Sequence, residues 1–303
     1  MPELPEVETT IRSLNRTVKG LRIIDVWSSY NSSFHDGKNN IKNLKYFKKF
    51  KKEVVGKKIL STERIAKNII INLSDNISIL IHMKMTGHFL YGKYKKIGRA
   101  WTPDEKGPLH DPMNRFIRVV FTLSNKRHLA FSDLRRFAKI FCFRTKEKPL
   151  LADLKGVGPD ALLSGLKFAD FKKQLLKKPD WKIKQALLDQ SVIAGIGNIY
   201  SDEMLWHSGI HPFSKPKKVP DRNLKKAFAA MKKILKISIK TGGDSASDFR
   251  GIDGKPGGYQ HFHKAYRQTG KKCPKPGCLG KIERLKMGGR SAHFCPIHQT
   301  NYQ

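Results

Sequence analysis

Three cysteines and one histidine near the C-terminus have the residue types and spacing of a metal site. Cys273 and Cys278 are separated by Pro-Lys-Pro-Gly, and sixteen residues later Cys295 is followed by His298. Closed structural zinc sites use three sulfurs and one imidazole, with a short loop inside each ligand pair and a longer hairpin between the pairs. We therefore predict one structural Zn²⁺ bound by Cys273, Cys278, Cys295 and His298. His293, two residues before Cys295, is the alternative fourth ligand.

The segment that carries these ligands is strongly basic. Residues 271–303 contain seven lysines and arginines and only one acidic side chain. A full ligand set leaves no open position on the metal, so a catalytic role for the metal is not expected. A basic zinc hairpin is instead suited to phosphate, and we predict that this module binds a polyanion.

A glycine-rich turn between two helical patterns is a second candidate site. Residues 195–200, Gly-Ile-Gly-Asn-Ile-Tyr, separate the apolar run at Leu187 and Leu188 from the run at Met204 and Trp206. A tight turn at the start of a helix exposes backbone N–H groups and favours phosphate. A plain turn between two helices explains the same residues equally well.

The N-terminus combines an ordinary helix start with two residues that a helix does not explain. Pro5 suits a first helical turn because its missing N–H would be unpaired there. Glu6 would cap the helix or orient the N-terminus. An apolar stripe at helical spacing follows. Pro2 and Glu3 precede this helix, and the local pattern gives them no role.

Composition narrows the class of protein. The chain has 303 residues, 39% of them hydrophobic, with 60 Lys and Arg against 25 Asp and Glu and a formal net charge of +35. It is long enough for two globular domains, and this charge favours nucleic acid as the partner ahead of an anionic membrane surface. No apolar run approaches the roughly 18–20 residues of a spanning helix, and no signal peptide is evident. We expect a cytoplasmic protein, nucleoid-associated in a bacterium, with cysteines in a reducing compartment.

The pattern of apolar residues changes along the chain. Residues 21–145 contain short β-branched and aromatic runs separated by turn signals, which predicts strands. Within them, residues 92–114 are expected to form a long loop. Residues 153–240 have helical periodicity. Residues 241–258 contain six glycines and are expected to be mobile.

Several ordered motifs resemble one known family. They are MPELPEVE, ERIAKN, HMKMTG, SDLRRFAK, AGIGNIYSDE, GGDSASDF with DGKPGG, and the zinc tail. Together they span essentially the whole chain and resemble the formamidopyrimidine-DNA glycosylases, to which the endonuclease VIII enzymes are related. The resemblance implies an α+β multidomain protein that binds DNA between its domains. The implied parts are an N-terminal β-sandwich domain at 1–145, a helix-two-turn-helix domain at 153–240, a flexible lesion-capping loop and connector at 241–270, and a zinc-finger hairpin at 271–303.

The resemblance also implies the catalytic groups. In the family the mature chain begins at the proline, so Pro2 would be the nucleophile after removal of Met1. An α-amine titrates near ~7.7–8.0, against ~10.4 for lysine, so more of it is neutral at pH 7. Glu3 would perform acid–base work at the sugar ring. Lys67 would contact DNA and assist elimination, and Arg290 would bind phosphate and assist the second elimination.

Three further residues match the family's set for filling the gap left by an extruded base. They are Met85, Arg135 and Phe137, a thioether, a guanidinium and an aromatic wedge. From the apolar pattern alone, Met85 would be a core residue at the end of a strand. The resemblance reverses that interpretation, and it makes the glycine-rich segment 241–258 a lid over the extruded base.

Phosphate contacts and departures from the family complete the set of candidates. Lys184 and Asn198 match contacts to the phosphates that flank the lesion. Asn114 is a candidate DNA contact at a position where the family has a histidine. The first cysteine pair has four intervening residues instead of two, and His298 replaces a fourth cysteine.

The predicted function is removal of oxidised purines from DNA. The enzyme would excise 8-oxoguanine and formamidopyrimidines through a proline Schiff base, then cleave the strand by β/δ-elimination. It would act as a monomer on double-stranded DNA that contains oxidised bases or abasic sites, with no membrane partner. The alternatives are an endonuclease VIII-like preference for oxidised pyrimidines and a non-catalytic damaged-DNA binder. The presence of Pro2, Glu3 and Lys67 favours an enzyme.

Overall fold

The computed structural model describes all 303 residues, which divide into two compact units. The first unit comprises residues 1–155 and 241–258, and the second comprises 156–240 and 259–303. The glycine-rich segment therefore belongs with the N-terminal residues, and the cysteine-containing tail belongs with the helical ones. None of the helices combines the length and apolar character needed to cross a membrane.

The first unit is built around two four-stranded antiparallel sheets. Helix α1 (Leu4–Thr17) precedes them, and helix α2 (Leu44–Val54) follows the first strand. The strands are β1 (Ile23–Ser28), β2 (Ile59–Ile65), β3 (Asn68–Leu73), β4 (Ile77–His82), β5 (His88–Gly92), β6 (Tyr94–Ile97), β7 (Ala100–Pro103), β8 (Ile117–Leu123), β9 (His128–Ser132) and β10 (Lys139–Arg144). One sheet has the order β1-β8-β9-β5 and the other β10-β4-β3-β2, while β6 and β7 form a separate hairpin.

The β-branched runs form the centre of this unit because both faces of β3 and β4 are covered. Ile69 and Ile71 lie in the main core with Phe121, whereas Ile70 on the opposite face packs in a second cluster with Phe141. Each fully buried side chain of this size contributes roughly 1.5–3 kcal/mol relative to exposure. Burial on both faces explains why these strands are apolar at nearly every position instead of alternating.

The predicted α+β architecture is confirmed, with two local differences. Helix α2 lies inside a region predicted to be mainly strands, because its many lysines obscure the positions of Phe50 and Val54, which are buried. Its N-cap, Asn43, accepts a hydrogen bond from the Tyr46 N–H at 2.8 Å. Residues 92–114, expected to be a loop, contain the β6–β7 hairpin.

The second unit combines four helices with a two-stranded hairpin. These elements are α3 (Phe168–Leu175), α4 (Ile183–Leu188), α5 (Asn198–Ser208), α6 (Asp221–Lys240), β11 (Glu283–Met287) and β12 (Arg290–Phe294). Helix α5 packs against α4, α6 and β12. It is buried on nearly all sides, so it lacks the polar face of a surface helix. This central helix fixes the turn that precedes it and the hairpin that packs on it.

Candidate functional site

The residues after Met1 are held by a buried capping arrangement at the start of α1. Pro2 and Glu3 are buried, and the Glu3 N–H donates to Glu6 Oε2 at 2.7 Å. The other carboxylate oxygen of Glu6 accepts the Asp244 N–H at 2.8 Å. Glu6 is therefore the predicted cap, and it also anchors the glycine-rich segment beside the N-terminus.

Lys67 lies on the tight turn between β2 and β3, where Ala66 has a positive φ of 54°. Its side chain is 6% exposed. The hairpin is fixed to α1 by a 2.9 Å ion pair between Arg64 and Glu8. Burial of Glu8 opposes its ionisation, but hydrogen bonds from Arg64 and Arg12 outweigh that effect and lower its pKa. The turn that carries Lys67 is thus tied to the helix that carries the N-terminal residues.

Met85, Arg135 and Phe137 lie together in the first unit and form what we call the wedge cluster. Arg135 Nη1 is 3.0 Å from Met85 Sδ, and the Arg135 guanidinium lies 4.6 Å from the Phe137 ring centroid. Met85 is 39% exposed and Phe137 is 47% exposed, whereas Met83, directly after the strand, is 1% exposed. Met85 is therefore a surface residue, and the interpretation from apolar pattern alone is wrong.

A buried carboxylate that the sequence analysis missed lies beneath the wedge cluster. Asp133 is fully buried, and its Oδ1 accepts the Thr86 hydroxyl at 2.6 Å. Its Oδ2 accepts the Tyr30 hydroxyl at 2.6 Å and the Ala138 N–H at 3.0 Å. Thr86 Oγ1 in turn accepts the Arg135 N–H at 3.0 Å. One carboxylate therefore joins the two turns that present the wedge cluster.

Both of these turns contain a residue in the left-handed backbone region. Lys84 has φ of 54° and Arg136 has φ of 56°. Such a conformation costs on the order of 1–3 kcal/mol for a residue with a side chain, so the surrounding contacts must impose it. The carboxylate of Asp133 supplies such contacts on both sides. The signal available in sequence was an aspartate directly after a buried strand.

Asn114 connects two loops inside the first unit and is only 2% exposed. Its amide donates to Pro108 O at 3.0 Å and to Gly254 O at 3.1 Å, and its Oδ1 lies 3.0 Å from His88 Nε2. All polar atoms of the side chain are engaged inside the protein. This placement is at odds with the direct DNA contact that we predicted for Asn114, and it indicates a role in holding the glycine-rich segment.

Other contacts anchor the same segment more firmly than its glycine content suggests. Arg250 Nε lies 3.0 Å from Asp111 Oδ2, and the Tyr91 N–H donates to Ile252 O at 2.7 Å. Gly254 has φ of 83°, and a Cβ there would lie 2.7 Å from the Pro108 carbonyl oxygen. Glycine is required at this position because the two backbones approach so closely.

Lys184 is fully buried in the second unit. Its Nζ lies 2.5 Å from Asp202 Oδ1 and 2.6 Å from the Ser291 carbonyl oxygen. The other oxygen of Asp202 accepts the His293 N–H at 3.1 Å and lies 2.9 Å from His293 Nδ1. The predicted contact of Lys184 with phosphate does not fit this burial. The ammonium instead neutralises Asp202, which the sequence analysis missed, and links α4, α5 and β12.

Asn198 is the first residue of α5, directly after the glycine-rich turn. The turn is fixed by Gln190, whose Oε1 accepts the Gly195 N–H and whose Nε2 donates to Ile196 O, both at 2.9 Å. The Asn198 side-chain oxygen is buried without a hydrogen-bond partner. The backbone N–H groups at a helix N-terminus are suited to an anion, whereas the side-chain oxygen of Asn198 can only accept a hydrogen bond.

The three predicted cysteine ligands are brought together. Their Sγ atoms all lie within 4.8 Å of one another, and those of Cys278 and Cys295 are 3.7 Å apart. Tetrahedral zinc with bonds of about 2.3 Å would place two sulfurs about 3.8 Å apart. The Gly280 N–H donates to Cys278 Sγ at 3.4 Å and lowers the pKa of that thiol. This donor set fits a metal ion such as Zn²⁺.

Neither candidate histidine belongs to the cluster of close sulfurs. His298 Nε2 lies 2.8 Å from the Trp206 carbonyl oxygen. A neutral imidazole that donates from Nε2 presents an unprotonated Nδ1, the form that a metal requires, and backbone carbonyls commonly orient ligating histidines in this way. His293 uses its Nδ1 for Asp202. The geometry therefore favours His298 over His293 as a fourth ligand.

Arg290 is exposed at the first position of β12, after the Gly288-Gly289 turn of the hairpin. The next residue, Ser291, is anchored through its carbonyl oxygen by Lys184 and through its hydroxyl by Arg284 Nε at 2.9 Å. The hairpin tip therefore presents a free guanidinium from a fixed backbone.

Comparisons with known proteins find one family that matches most of the chain. Residues 1–140 match the model of the formamidopyrimidine-DNA glycosylase N-terminal domain, and residues 157–250 match that of the formamidopyrimidine-DNA glycosylase H2TH domain. A formamidopyrimidine-DNA glycosylase from Pelotomaculum thermopropionicum is 34% identical over 99% of both chains. One from Lactobacillus acidophilus is 32% identical over the whole of both chains.

Solved structures with the same fold contain damaged DNA. A complex between Lactococcus lactis Fpg and DNA containing an abasic site has a TM-score of 0.82 and 29% identity, and covers 99% of this chain and 100% of the other. A complex of an Lactococcus lactis Fpg mutant with Fapy-dG DNA gives the same values. The similarity thus covers both units.

Proposed function

Because the chain belongs to the formamidopyrimidine-DNA glycosylase family, we propose that it is a bifunctional enzyme that excises oxidised purines from DNA and cleaves the resulting abasic strand. The observation that carries this proposal is the wedge cluster in the same unit as a buried Pro2-Glu3 N-terminus. A wedge is useful for extruding a base, and an N-terminal secondary amine is useful for attacking the sugar beneath it.

We assign the chemistry to the processed N-terminus. After removal of Met1, the Pro2 nitrogen attacks C1′ of the damaged nucleotide, the bond from C1′ to the base breaks, and the proton released from the Pro2 nitrogen neutralises the departing base. Glu3 transfers a proton at the sugar ring oxygen as the ring opens, which gives an iminium between Pro2 and C1′. The iminium withdraws electrons, so the 2′ proton is lost and the 3′ phosphate leaves. Lys67 and Arg290 assist the elimination steps, and water finally releases the sugar fragment from Pro2.

We assign DNA binding to the exposed groups. The wedge cluster would fill the space left by the extruded nucleotide, with the Arg135 guanidinium facing the unpaired base. Asn198 at the start of α5 and Arg290 at the hairpin tip would hold phosphates. The glycine-rich segment anchored by Glu6 would cover the extruded base. Lys184 and Asn114 would act through the backbone that they hold.

We assign one structural Zn²⁺ to the tail, held by Cys273, Cys278, Cys295 and Nδ1 of His298. Bound zinc would supply folding free energy to the module and no open position for chemistry. The residues themselves fix the hairpin that carries Arg290. We further propose the division into a β-sandwich domain at 1–145, a helix-two-turn-helix domain at 153–240, a lesion-capping loop and connector at 241–270 and a zinc finger at 271–303.

The decisive experiment is covalent trapping. The protein would be incubated with borohydride and duplexes that carry 8-oxoguanine, an oxidised pyrimidine or an abasic site. We expect an adduct with 8-oxoguanine that is lost in Pro2→Gly and in protein that retains Met1, while duplex binding changes by only a few-fold. If protein that retains Met1, as verified by mass spectrometry, still gave a trapped adduct, the assignment of Pro2 as the nucleophile would be wrong. Trapping only on the oxidised pyrimidine would overturn the substrate class, and binding without trapping would indicate a non-catalytic binder.

A further inference from the structure

A basic cavity lies beside the wedge cluster in the first unit. It has a volume of about 480 Å³, and we call it the basic cavity. Its lining residues are His35, Lys38, Asn39, Asn40, Lys42, Lys84, Phe137 and Lys139. Four of them are lysines and none is a carboxylate. A cavity with this lining favours an anionic ligand.

The lysines of the basic cavity are poorly neutralised by the protein. Lys42 is only 6% exposed, its Nζ lies 5.6 Å from the Tyr30 ring centroid, and no carboxylate lies within ion-pair distance of it. Burial lowers the pKa of Lys42, and the charge of Lys84 lowers it further against an opposing effect of Asp133. Among the four lysines, Lys139 forms an ion pair, with the Asp153 carboxylate at 2.7 Å.

The loop that forms one wall is fixed by its own hydrogen bonds. The Lys42 N–H donates to Asn40 Oδ1 at 3.2 Å, and the Ser32 N–H donates to Lys42 O at 3.0 Å. Asn43 Nδ2 donates to His35 O at 3.0 Å. Burying an unpaired ammonium costs free energy, and an anion bound beside it would reduce that cost. Because hydrogen bonds fix the backbone of this loop, the Lys42 side chain stays buried in the cavity without a bound ligand.

We propose that the basic cavity binds a backbone phosphate of DNA next to the position where the wedge cluster enters the duplex. Lys84 directly precedes Met85 in the chain, and Phe137 belongs to both the basic cavity and the wedge cluster. DNA that accepts the wedge therefore brings its backbone to the mouth of the cavity. Lysines bind phosphate as point charges, without the two-point geometry that the fork of an arginine requires. This site lies in the first unit, apart from the Asn198 turn of the second.

The first test is the salt dependence of DNA binding. Each phosphate neutralised by a protein contributes about 0.9 to the slope of log K against log salt concentration for duplex DNA. We expect Lys38→Gln/Lys42→Gln to reduce the magnitude of this slope by about 0.9. The matched control is Lys19→Gln/Lys126→Gln, which removes the same charge from two exposed positions outside the cavity. An equal change in the two double variants would overturn the proposal.

The second test locates the phosphate. Duplexes would carry a single neutral methylphosphonate, moved one position at a time along each strand near the lesion. At one position we expect wild-type affinity to fall by about fivefold to tenfold, as for one charged contact of about 1–1.4 kcal/mol. The same substitution should have little effect on the Lys38→Gln/Lys42→Gln variant. Lys38→Gln alone, which leaves the buried Lys42 intact, repeats the measurement if the double variant unfolds.

The outcome separates this inference from the proposed function on which it rests. At each position, the effect of the methylphosphonate on wild-type affinity is compared with its effect on the Lys38→Gln/Lys42→Gln variant, and a difference is called coupling. Absence of coupling at every position, in protein that still traps and cleaves 8-oxoguanine DNA, would overturn the basic cavity alone. Failure of the wild-type protein to bind or cleave damaged DNA would instead overturn the proposed function. Coupling at one position beside the lesion would establish the phosphate site and the strand that it contacts.

Discussion

Replacing Asp133 by asparagine should separate base extrusion from strand chemistry. The carboxylate lies beneath the wedge cluster and receives hydrogen bonds from Tyr30, Thr86 and Ala138. Asparagine has the same shape and keeps one oxygen, which would remain with Tyr30 and Ala138. Its NH₂ group would then face Thr86 Oγ1, which already accepts the Arg135 N–H. The Thr86 hydroxyl hydrogen then loses its acceptor, and a charged hydrogen bond between the two turns is replaced by a weaker neutral one from the NH₂ group, although the side-chain volume is unchanged.

The expected magnitude follows from the type of bond removed. A hydrogen bond to a charged group contributes about 1.5–3 kcal/mol, so we expect the free energy of unfolding to fall by about 2 kcal/mol. If the same free energy is lost from wedge insertion, excision at a well-paired lesion falls by up to about 30-fold. An abasic site has no base to extrude and should be affected much less, because unstacking is easiest where pairing is absent.

The assay is a comparison of single-turnover rates on two substrates in one sequence context, 8-oxoguanine paired with cytosine and a ready-made abasic site. Tyr30→Phe is the matched control, since it removes one hydrogen bond from Asp133 but leaves the bonds to both turns. We expect Tyr30→Phe to lower stability and leave the ratio of the two rates near the wild-type value. Equal losses on both substrates in Asp133→Asn would refute the reasoning, because they would mean that Asp133 only supports the fold.

Three further predictions concern the metal module, the buried ion pair and the glycine-rich segment. Cys295→Ser should release zinc in metal analysis and weaken DNA binding, because the metal folds its module; unchanged affinity would contradict this. Lys184→Met should lower the free energy of unfolding by about 3–5 kcal/mol, because it leaves the charge of Asp202 uncompensated. If Lys184→Met instead left the melting curve unaltered and reduced the salt dependence of DNA binding, Lys184 would contact a phosphate as first predicted. Arg250→Ala, which breaks the ion pair with Asp111, should slow excision of 8-oxoguanine more than abasic cleavage in single-turnover assays, and equal slowing would argue against a lid.

Motifs and periodicity were enough to predict the architecture, but they could not predict the surroundings of single residues. The apolar runs of β3 and β4 and the helical pattern of α5 are local properties, so the sequence displays them directly. Helix α2 was missed because its lysines outnumber the apolar residues that face the core. Met85 shows the limit of periodicity, since the strand ends at His82 and the next turn carries Met85 outward.

Burial of polar residues could not be predicted, because it depends on partners that are distant in sequence. Lys184 is paired with Asp202, 18 positions away, and with the Ser291 carbonyl, 107 positions away. Asn114 donates to Gly254 O across 140 positions. A motif match identifies such residues as important, and only the fold shows whether their polar atoms face inward or outward.

The acidic residues of this basic chain explain how it presents so much positive charge. Of the 25 acidic residues, six are buried. They are Glu3, Glu6, Asp133, Asp202, Glu203 and Asp244. Several accept backbone N–H groups, as Glu203 does from residues 264–266, and its burial raises its pKa in spite of those bonds. Because these carboxylates are buried in the protein, where they hold turns, fewer acidic groups remain at the surface to offset the charge of the 60 basic side chains. Substituting a buried acid should therefore disturb the geometry of the turns that it holds, whereas substituting an exposed lysine should change DNA affinity and its dependence on salt.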